Sequence, residues 1–192
     1  VGHGWITVLR NRGDGTFAPK TSYAVGTSPS SLVVIDANGD GAPDIAVSNR
    51  HESTVSVLMN DGEGKLSTKR DVAAGPTPAT LATADFDGDG RADLVVTTPG
   101  TDTLGVFRGR GDGSFDARAT YAAGPGPVGV VASDLDGDGN VDLAVANSGS
   151  DTVAVLLNTG GTFAAPKLRS AGGHPQWIAI ADFDGDGRSD VV

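Results

Sequence analysis

Four acidic segments of nine residues recur along the sequence, and their composition suits metal chemistry. They read DANGDGAPD from Asp36, DFDGDGRAD from Asp85, DLDGDGNVD from Asp134 and DFDGDGRSD from Asp182. Carboxylates crowded into one tight loop repel each other unless a cation neutralises them. Hard oxygen donors in this number suit Ca²⁺ better than Zn²⁺ or Mg²⁺. The sequence therefore predicts up to four Ca²⁺ sites.

Each segment offers the same set of ligands. Positions 1, 3, 5 and 9 supply side-chain oxygens, position 7 supplies its backbone carbonyl, and Gly at position 6 allows the sharp bend. The first segment has Asn38 where the others have Asp, and Pro43 near its end, so we expect weaker binding there. The predicted ligands are Asp36, Asn38, Asp40, Ala42 and Asp44; Asp85, Asp87, Asp89, Arg91 and Asp93; Asp134, Asp136, Asp138, Asn140 and Asp142; and Asp182, Asp184, Asp186, Arg188 and Asp190.

Two other interpretations of these segments fit less well. An EF-hand needs Glu at position 12 and helical flanks, whereas position 12 is Val47, Val96 and Val145 in the first three segments. Plain Asp/Gly turns without a metal do not need an aspartate at position 9 in all four copies.

Paired carboxylates also occur in glycosidases, but here the pattern indicates a scaffold. An active site is normally unique, and this motif occurs four times. No Ser or Cys nucleophile signature accompanies His3, His51 or His174. We therefore expect that the chain is not an enzyme.

A repeat of the whole chain predicts the elements that position these loops. The acidic segments recur at intervals of 49, 49 and 48 residues, and no window shows sustained helical periodicity. A period near 49 with four short strands is the size of a propeller blade. The predicted fold class is therefore all-β, a β-propeller. In the second unit the predicted strands cover 80–84, 94–98, 104–108 and 115–122.

We predict a single β-propeller region over 1–192, with about four blade-equivalents. An open array of blades exposes strand edges. We therefore favour a fragment of a larger propeller, or self-association that completes one, over a closed four-blade ring. The predicted blades are 30–73, 79–122 and 128–170, with 1–24 and 175–192 as complementary half-blades.

Composition excludes several function classes. A formal net charge of −10 argues against a nucleic-acid partner, because phosphate contacts need a basic face. No segment approaches the ~18 apolar residues of a membrane span. The chain has no Cys, so neither disulfides nor thiolate metal sites are available.

Binding residues are expected at the end of the blades opposite the acidic loops. If strands alternate in direction, the acidic loops and the Gly-rich hairpins share one end, and the remaining connections share the other. An exposed Trp with nearby His and Asn can stack on a sugar face and bond its hydroxyls. The alternative is that the tryptophans pack between blades. The candidate ligand-binding residues are Trp177, His174, Trp5, Asn49 and Asn147.

The acidic loop followed by DLVV or DLAV, with a preceding Gly-Pro turn, resembles the FG-GAP/VCBS repeat. That family includes integrin α-subunit propellers and secreted bacterial and fungal β-propellers, some of them lectins. The resemblance implies a propeller with Ca²⁺ in the hairpin between the first two strands of each blade. It also implies a secreted or cell-surface location, where calcium is plentiful.

Three functions follow as expectations. The favoured one is a calcium-stabilised extracellular module that binds carbohydrate. The alternatives are a protein-interaction or cell-adhesion scaffold, and a structural propeller segment of a larger secreted enzyme. The expected partner is a glycan or an extracellular protein.

Overall fold

The computed structural model describes residues 4–192. The first three residues of the predicted half-blade 1–24, including His3, lie outside the described residues. Within the described part, regular structure consists of strands and one 3₁₀ turn. No helix there has the length and apolar character needed to cross a membrane.

The strands are short, and tight turns connect most of them. In chain order they are Gly4–Val8 (β1), Thr21–Val25 (β2), Pro29–Ile35 (β3), Asp44–Asn49 (β4), Thr54–Asn60 (β5), Leu66–Ala73 (β6), Leu81–Ala84 (β7), Asp93–Thr98 (β8), Thr103–Phe107 (β9), Ala119–Ala122 (β10), Pro127–Ser133 (β11), Asp142–Asn147 (β12), Thr152–Leu156 (β13), Asn158–Thr159 (β14), Thr162–Phe163 (β15), Lys167–Ser170 (β16), Ile180–Ala181 (β17) and Asp190–Val191 (β18), with the 3₁₀ turn at Pro99–Thr101.

Three four-stranded antiparallel sheets form the body of the protein. Their strand orders are β3-β4-β5-β6, β7-β8-β9-β10 and β11-β12-β13-β16. Each sheet is an up-and-down meander of the kind that makes a propeller blade. The predicted all-β class with four-stranded repeats is therefore confirmed. At either end of the described chain, β1-β2 and β17-β18 form separate two-stranded sheets.

The second strand of each sheet is buried on both faces. Every residue of β8 and of β12 is buried, whereas the fourth strands β6 and β16 are mostly exposed. A strand covered on both faces reads as a continuous apolar run, as DLVV and DLAV do. The apolar runs after the acidic segments thus mark the interior of each blade.

The hydrophobic core lies between the faces of neighbouring sheets. One cluster joins Val55 and Val57 of the first sheet to Leu94 and Phe107 of the second. Another joins the second sheet to the third, where the Phe86 and Phe163 rings meet edge to face at 5.4 Å. The first strands also adjoin one another, because the Oγ of Ser31 on β3 accepts from the Leu81 N–H on β7 at 3.2 Å. Sheets that stack face to face in this way form consecutive propeller blades.

One predicted strand is shorter than expected. In the second sheet the fourth strand covers only Ala119–Ala122, and Phe115 makes an isolated bridge with Gly109 instead of beginning a strand. The Asp116 N–H donates to the Arg108 carbonyl at 2.8 Å, and regular pairing with β9 begins only at Ala119.

Candidate metal sites

The acidic loops connect the first two strands of each blade, where the family resemblance predicts them. The loop 85–92 joins β7 to β8, and the loop 134–141 joins β11 to β12. The Gly-rich hairpins lie at the same end, because the Gly113 N–H donates to the Ala37 carbonyl of the preceding blade at 2.9 Å. The expected sharing of one end by loops and hairpins is therefore confirmed.

The aspartate at position 1 organises each loop by accepting two backbone N–H groups. The Gly39 N–H donates to one carboxylate oxygen of Asp36 at 2.8 Å, and the Gly41 N–H donates to the other at 3.0 Å. Both glycines have positive φ, at 73° and 79°, a conformation that favours glycine. Asp85, Asp134 and Asp182 make the corresponding pair of bonds.

In the first three loops the aspartate at position 9 is buried and ties the loop to the end of the third strand, whereas Asp190 of the fourth loop is half-buried. Asp93 accepts the Phe86 N–H at 3.0 Å and the Gly109 N–H at 2.8 Å. Asp44 and Asp142 are likewise fully buried and make the corresponding bonds. Burial raises the pKa of all three carboxyls above the ordinary value of 3.8, although these backbone donors oppose the shift. Each charged carboxylate therefore carries a desolvation penalty that a cation would relieve.

Three loops bring carboxylates from positions 1, 3 and 9 together. In each group, one oxygen per residue lies within 4.8 Å of the others. The first loop has Asn38 at position 3, and its Nδ2 donates to Asp40 at 2.8 Å, which agrees with the weaker site expected there. The three groups are Asp85, Asp87 and Asp93; Asp134, Asp136 and Asp142; and Asp182, Asp184 and Asp190.

The aspartate at position 5 is not part of these groups. The carboxylate of Asp89 accepts the Arg91 N–H at 2.9 Å and also pairs with the Arg91 guanidinium. Asp138 accepts the Asn140 N–H at 2.8 Å. Coordination by position 5, and by the carbonyl of position 7, stays a prediction.

Sequence reasoning missed one residue that touches an acidic group. Arg108 follows β9, and its Nη1 lies 2.6 Å from the buried Asp93 carboxylate. The corresponding residues of the neighbouring units are Met59 and Leu157. A charged residue at a repeat position that is apolar in both neighbouring units was the available signal.

At the opposite end, the candidate ligand-binding residues have different surroundings. Trp177 is 81% exposed and Trp5 is 60% exposed. The His174 N–H donates to Asp151 at 2.7 Å, and its Nδ1 lies 3.2 Å from the Ser148 carbonyl oxygen. Asn49 and Asn147 are fully buried. Their Nδ2 groups bond hydroxyl or carbonyl oxygens of the protein, while both Oδ1 atoms have no hydrogen-bond partner among residues 4–192.

The fold and the loops together define a β-propeller-like repeat domain with an acidic loop in each blade. The FG-GAP-like repeat model matches residues 1–47, 36–96, 85–145 and 134–192. The chain therefore belongs to the FG-GAP-like repeat family. The comparison with curated proteins gave no match.

Solved structures share the fold at low sequence identity. A functionally unknown protein from Desulfotomaculum acetoxidans DSM 771 has a TM-score of 0.70 at 11% identity, over 92% of this chain and 53% of that one. The Vibrio cholerae biofilm matrix protein Bap1 has a TM-score of 0.52 at 21% identity, over 87% of this chain and 28% of that one. A Bacillus licheniformis rhamnogalacturonan lyase has a TM-score of 0.55 at 15% identity, over 93% and 46%. The chain thus spans between about a quarter and about half of these proteins.

Proposed function

We propose that this chain is a calcium-stabilised binding module of a secreted or cell-surface protein, without catalytic activity of its own. The observation that carries the proposal is the convergence of carboxylates from positions 1, 3 and 9 in three separate loops. Repetition in successive blades supports a scaffold role, because catalysis needs one site and not several equivalent ones.

The donor set fits calcium. In the loop 134–142, Asp134, Asp136 and Asp142 would hold the ion, and Asp138 with the Asn140 carbonyl would complete the oxygen shell. Calcium takes six to eight such hard donors, whereas Zn²⁺ prefers nitrogen and sulfur ligands. A bound ion would offset the desolvation of Asp142 and hold β11 and β12 to the loop between them. Stabilisation would reach about 2.7 kcal/mol per site at a hundredfold excess over Kd.

Isothermal titration with CaCl₂ on the chelator-treated chain tests this proposal. We expect binding at several sites with Kd of about 10⁻⁴–10⁻³ M, the range of extracellular modules. MgCl₂ is the matched control, and we expect it to bind more weakly because Mg²⁺ demands octahedral geometry and releases water reluctantly. Absence of heat and of any calcium effect on melting would refute the metal assignment.

For the partner we propose a carbohydrate, and Trp5 is the better candidate to contact it. Its exposed indole lines a groove of about 620 Å³ between β1 and the first sheet; most of the lining is apolar, and Thr7, Ser30 and Ser31 add hydroxyl groups. An indole face with neighbouring hydroxyls suits a sugar ring, which stacks and accepts hydrogen bonds.

Trp177 lies at a repeat position that makes contacts between blades in other units. It occupies the repeat position of Ser31, Thr80 and Gly129. Thr80 Oγ1 donates to the Val128 carbonyl of the next first strand at 2.5 Å, and a Cβ on Gly129 would lie 3.2 Å from Ile178. In those two units this position therefore faces the following blade, whereas Trp177 itself is 81% exposed; its place in the repeat makes it the weaker candidate for sugar stacking.

The two tryptophans allow a direct test of glycan binding. A glycan array in calcium would identify a ligand, and its quenching of tryptophan fluorescence would then be measured in Trp5→Ala and Trp177→Ala. We expect quenching to disappear in Trp5→Ala and to persist in Trp177→Ala. No binding to any glycan, together with capture of an extracellular protein, would favour the interaction-scaffold function instead.

Self-association that completes a larger ring remains a prediction. The molar mass in calcium, measured by light scattering, tests it: a mass near 19.2 kDa corresponds to a monomer and would contradict self-association.

A further inference from the structure

Arg108 places a guanidinium inside the second acidic group. Its Nη1 lies 2.6 Å from Asp93 Oδ2, and its Nε lies 3.5 Å from Asp87 Oδ2. Its Nη2 donates to the Gly161 carbonyl of the next blade. The guanidinium also lies over the Phe86 ring, 6.0 Å from the centroid. Only 21% of the side chain is exposed, so water screens these contacts weakly.

The same repeat position is apolar in the two neighbouring units. Met59 occupies it in the first sheet and Leu157 in the third, so neither places a cation near Asp44 or Asp142. A Cβ added to Gly113 would clash with Met59 Cε. Met59 therefore reaches the next hairpin as Arg108 does, but by packing alone.

Arg10, which follows β1 in the N-terminal half-blade, shows that an arginine at this repeat position extends toward the hairpin of the next blade. Its Nη2 donates to the Gly64 carbonyl at 2.7 Å, and Gly64 corresponds to Gly161 in the repeat. The position therefore directs a guanidinium to the next hairpin wherever the sequence supplies one.

We propose that Arg108 is a built-in counter-ion that competes with calcium for Asp87 and Asp93, so that the loop 85–93 binds calcium more weakly than the loop 134–142. The inference rests on the proposed calcium function. Two of the three carboxylates that would hold the ion already pair with a fixed positive charge. A divalent ion bound there would lie a few ångströms from that charge, and like charges repel at that distance.

Arg108 also makes the second loop less dependent on metal. The guanidinium neutralises the buried Asp93 and joins it to Gly161 of the following blade. The ion pair offsets part of the desolvation of Asp93, so this loop depends less on a cation than a loop whose buried carboxylate has no charged partner. We therefore expect the junction between the second and third sheets to open less in chelator than the loop 134–142, where no charged side chain of residues 4–192 pairs with Asp142.

Hydrogen exchange followed by mass spectrometry across a calcium titration tests this inference. Peptides that cover 85–93 and 134–142 report the two loops separately within one protein. In the native sequence, we expect 85–93 to need about tenfold more calcium for protection than 134–142. In Arg108→Met, which copies the residue of the first sheet, we expect this difference to fall to about twofold or less. We also expect 85–93 to exchange faster in chelator.

Arg110→Met is the matched control, because it removes the same charge from the same blade. Arg110 pairs with Asp116 on the surface and does not contact the acidic loop in the described structure. We expect it to leave the difference between the two loops unchanged. Met59→Arg is the reverse variant, and we expect it to raise the calcium concentration that protects 36–44; it carries the test if Arg108→Met does not fold.

The outcomes separate this inference from the calcium function. Equal calcium responses of 85–93 and 134–142 in the native protein, unchanged in Arg108→Met, would overturn the role of Arg108 while leaving calcium binding intact. If neither loop responds to calcium, the proposed function fails and this inference fails with it.

Discussion

The acidic loops and the Gly-rich hairpins are built from the same residue types at the same end of the blades, yet the aspartates at position 9 of the acidic loops differ from the hairpin aspartates. Asp134, at position 1, resembles the hairpin aspartates, because the Gly139 N–H lowers its pKa. In the hairpins, Asp61 accepts the Glu63 N–H at 3.0 Å and the Lys65 N–H at 3.1 Å. Asp112 accepts the Ser114 N–H at 2.9 Å. The two backbone bonds lower the pKa of Asp61 below the ordinary value of 3.8. In Asp112 the hydroxyl of Ser114, which also donates to the carboxylate, lowers the pKa most, and the Ser114 N–H adds to the shift. In the acidic loops, burial instead raises the pKa of Asp44, Asp93 and Asp142.

Position in the fold explains this difference. A hairpin aspartate is exposed to solvent, and hydrogen bonds from residues of the same turn stabilise its charge. Three of the acidic loops bring the carboxylates of positions 1, 3 and 9 within 4.8 Å of one another. In two of these loops the aspartate at position 9, Asp93 or Asp142, is buried away from water. Similar turn-forming sequences therefore form turns that need no ion in the hairpins, and sites whose carboxylates need a cation in the acidic loops.

Removal of calcium should give the largest change in stability, because it affects the acidic loops and not the hairpins. Relative to calcium at a hundredfold excess over Kd, we expect excess EGTA to lower the melting temperature by roughly 20 °C, because three sites of about 2.7 kcal/mol each would be lost and about 1 kcal/mol shifts the melting temperature of a chain of this size by about 2–4 °C. Circular dichroism or calorimetry measures the change, and calcium added back in excess should restore the original value. A melting curve that is the same in EGTA and in calcium would contradict the distinction between the two kinds of loop.

Matched asparagine substitutions test the two kinds of loop directly. Asp136→Asn places at position 3 the residue that the first loop already has as Asn38. We expect it to remove about 2 kcal/mol of calcium-dependent stabilisation and to change little in chelator. Asp112→Asn, in a hairpin, should have the same small effect with and without calcium. Denaturant unfolding in both conditions measures each variant, and equal calcium dependence of the two variants would be the contrary result.

The pH dependence of stability should also differ between the acidic loops and the hairpins. The folded-state pKa of Asp142 is raised, so its ionisation opposes folding once the pH has risen through that pKa, unless calcium compensates. Protons then compete with calcium as the pH falls, and we expect the calcium-induced rise in melting temperature to shrink over the range from neutral pH down through the raised pKa of Asp142. Asp61 has a lowered pKa, so its contribution is present above its ordinary pKa and is lost only as the pH falls through the lowered value. A calcium effect that is constant over this range would contradict the assignment.

The smallest expected difference lies within the acidic loops. Asp89 and Asn38 each accept the backbone N–H of the residue two positions later, at 2.9 Å and 3.1 Å, so replacement by Ala removes a similar turn bond from each. Asp89 in addition offers a full charge to the proposed ion. We therefore expect Asp89→Ala to lower the melting temperature in calcium more than Asn38→Ala, with near-equal values in EGTA. A larger loss for Asn38→Ala would show that position 5 does not contact the ion.

The positions of the acidic loops could be read from the chain because each repeat carries its own signal. Asp36 and Asp85 are 49 residues apart, and each is followed by an apolar run that the structure buries as the second strand of a sheet. The bonds within a loop, such as those from Gly39 and Gly41 to Asp36, are local and follow from the spacing. The fourth strand of the second sheet was less predictable, because its length depends on how the chain leaves the neighbouring strand.

The sequence by itself determined the repeat, the strand pattern and which loops gather carboxylates, because all of these depend on residues close together in the chain. Only the tertiary structure decided that Asp93 meets Arg108 and that Arg108 reaches Gly161. It also decided that Asn49 and Asn147 lie in the interior while Trp5 and Trp177 remain exposed. The contact between Asp93 and Arg108 depends on the pairing of neighbouring strands within one blade. The contact between Arg108 and Gly161 depends on the stacking of one blade against the next, which brings together residues 53 positions apart, and no local pattern records which side chains then meet.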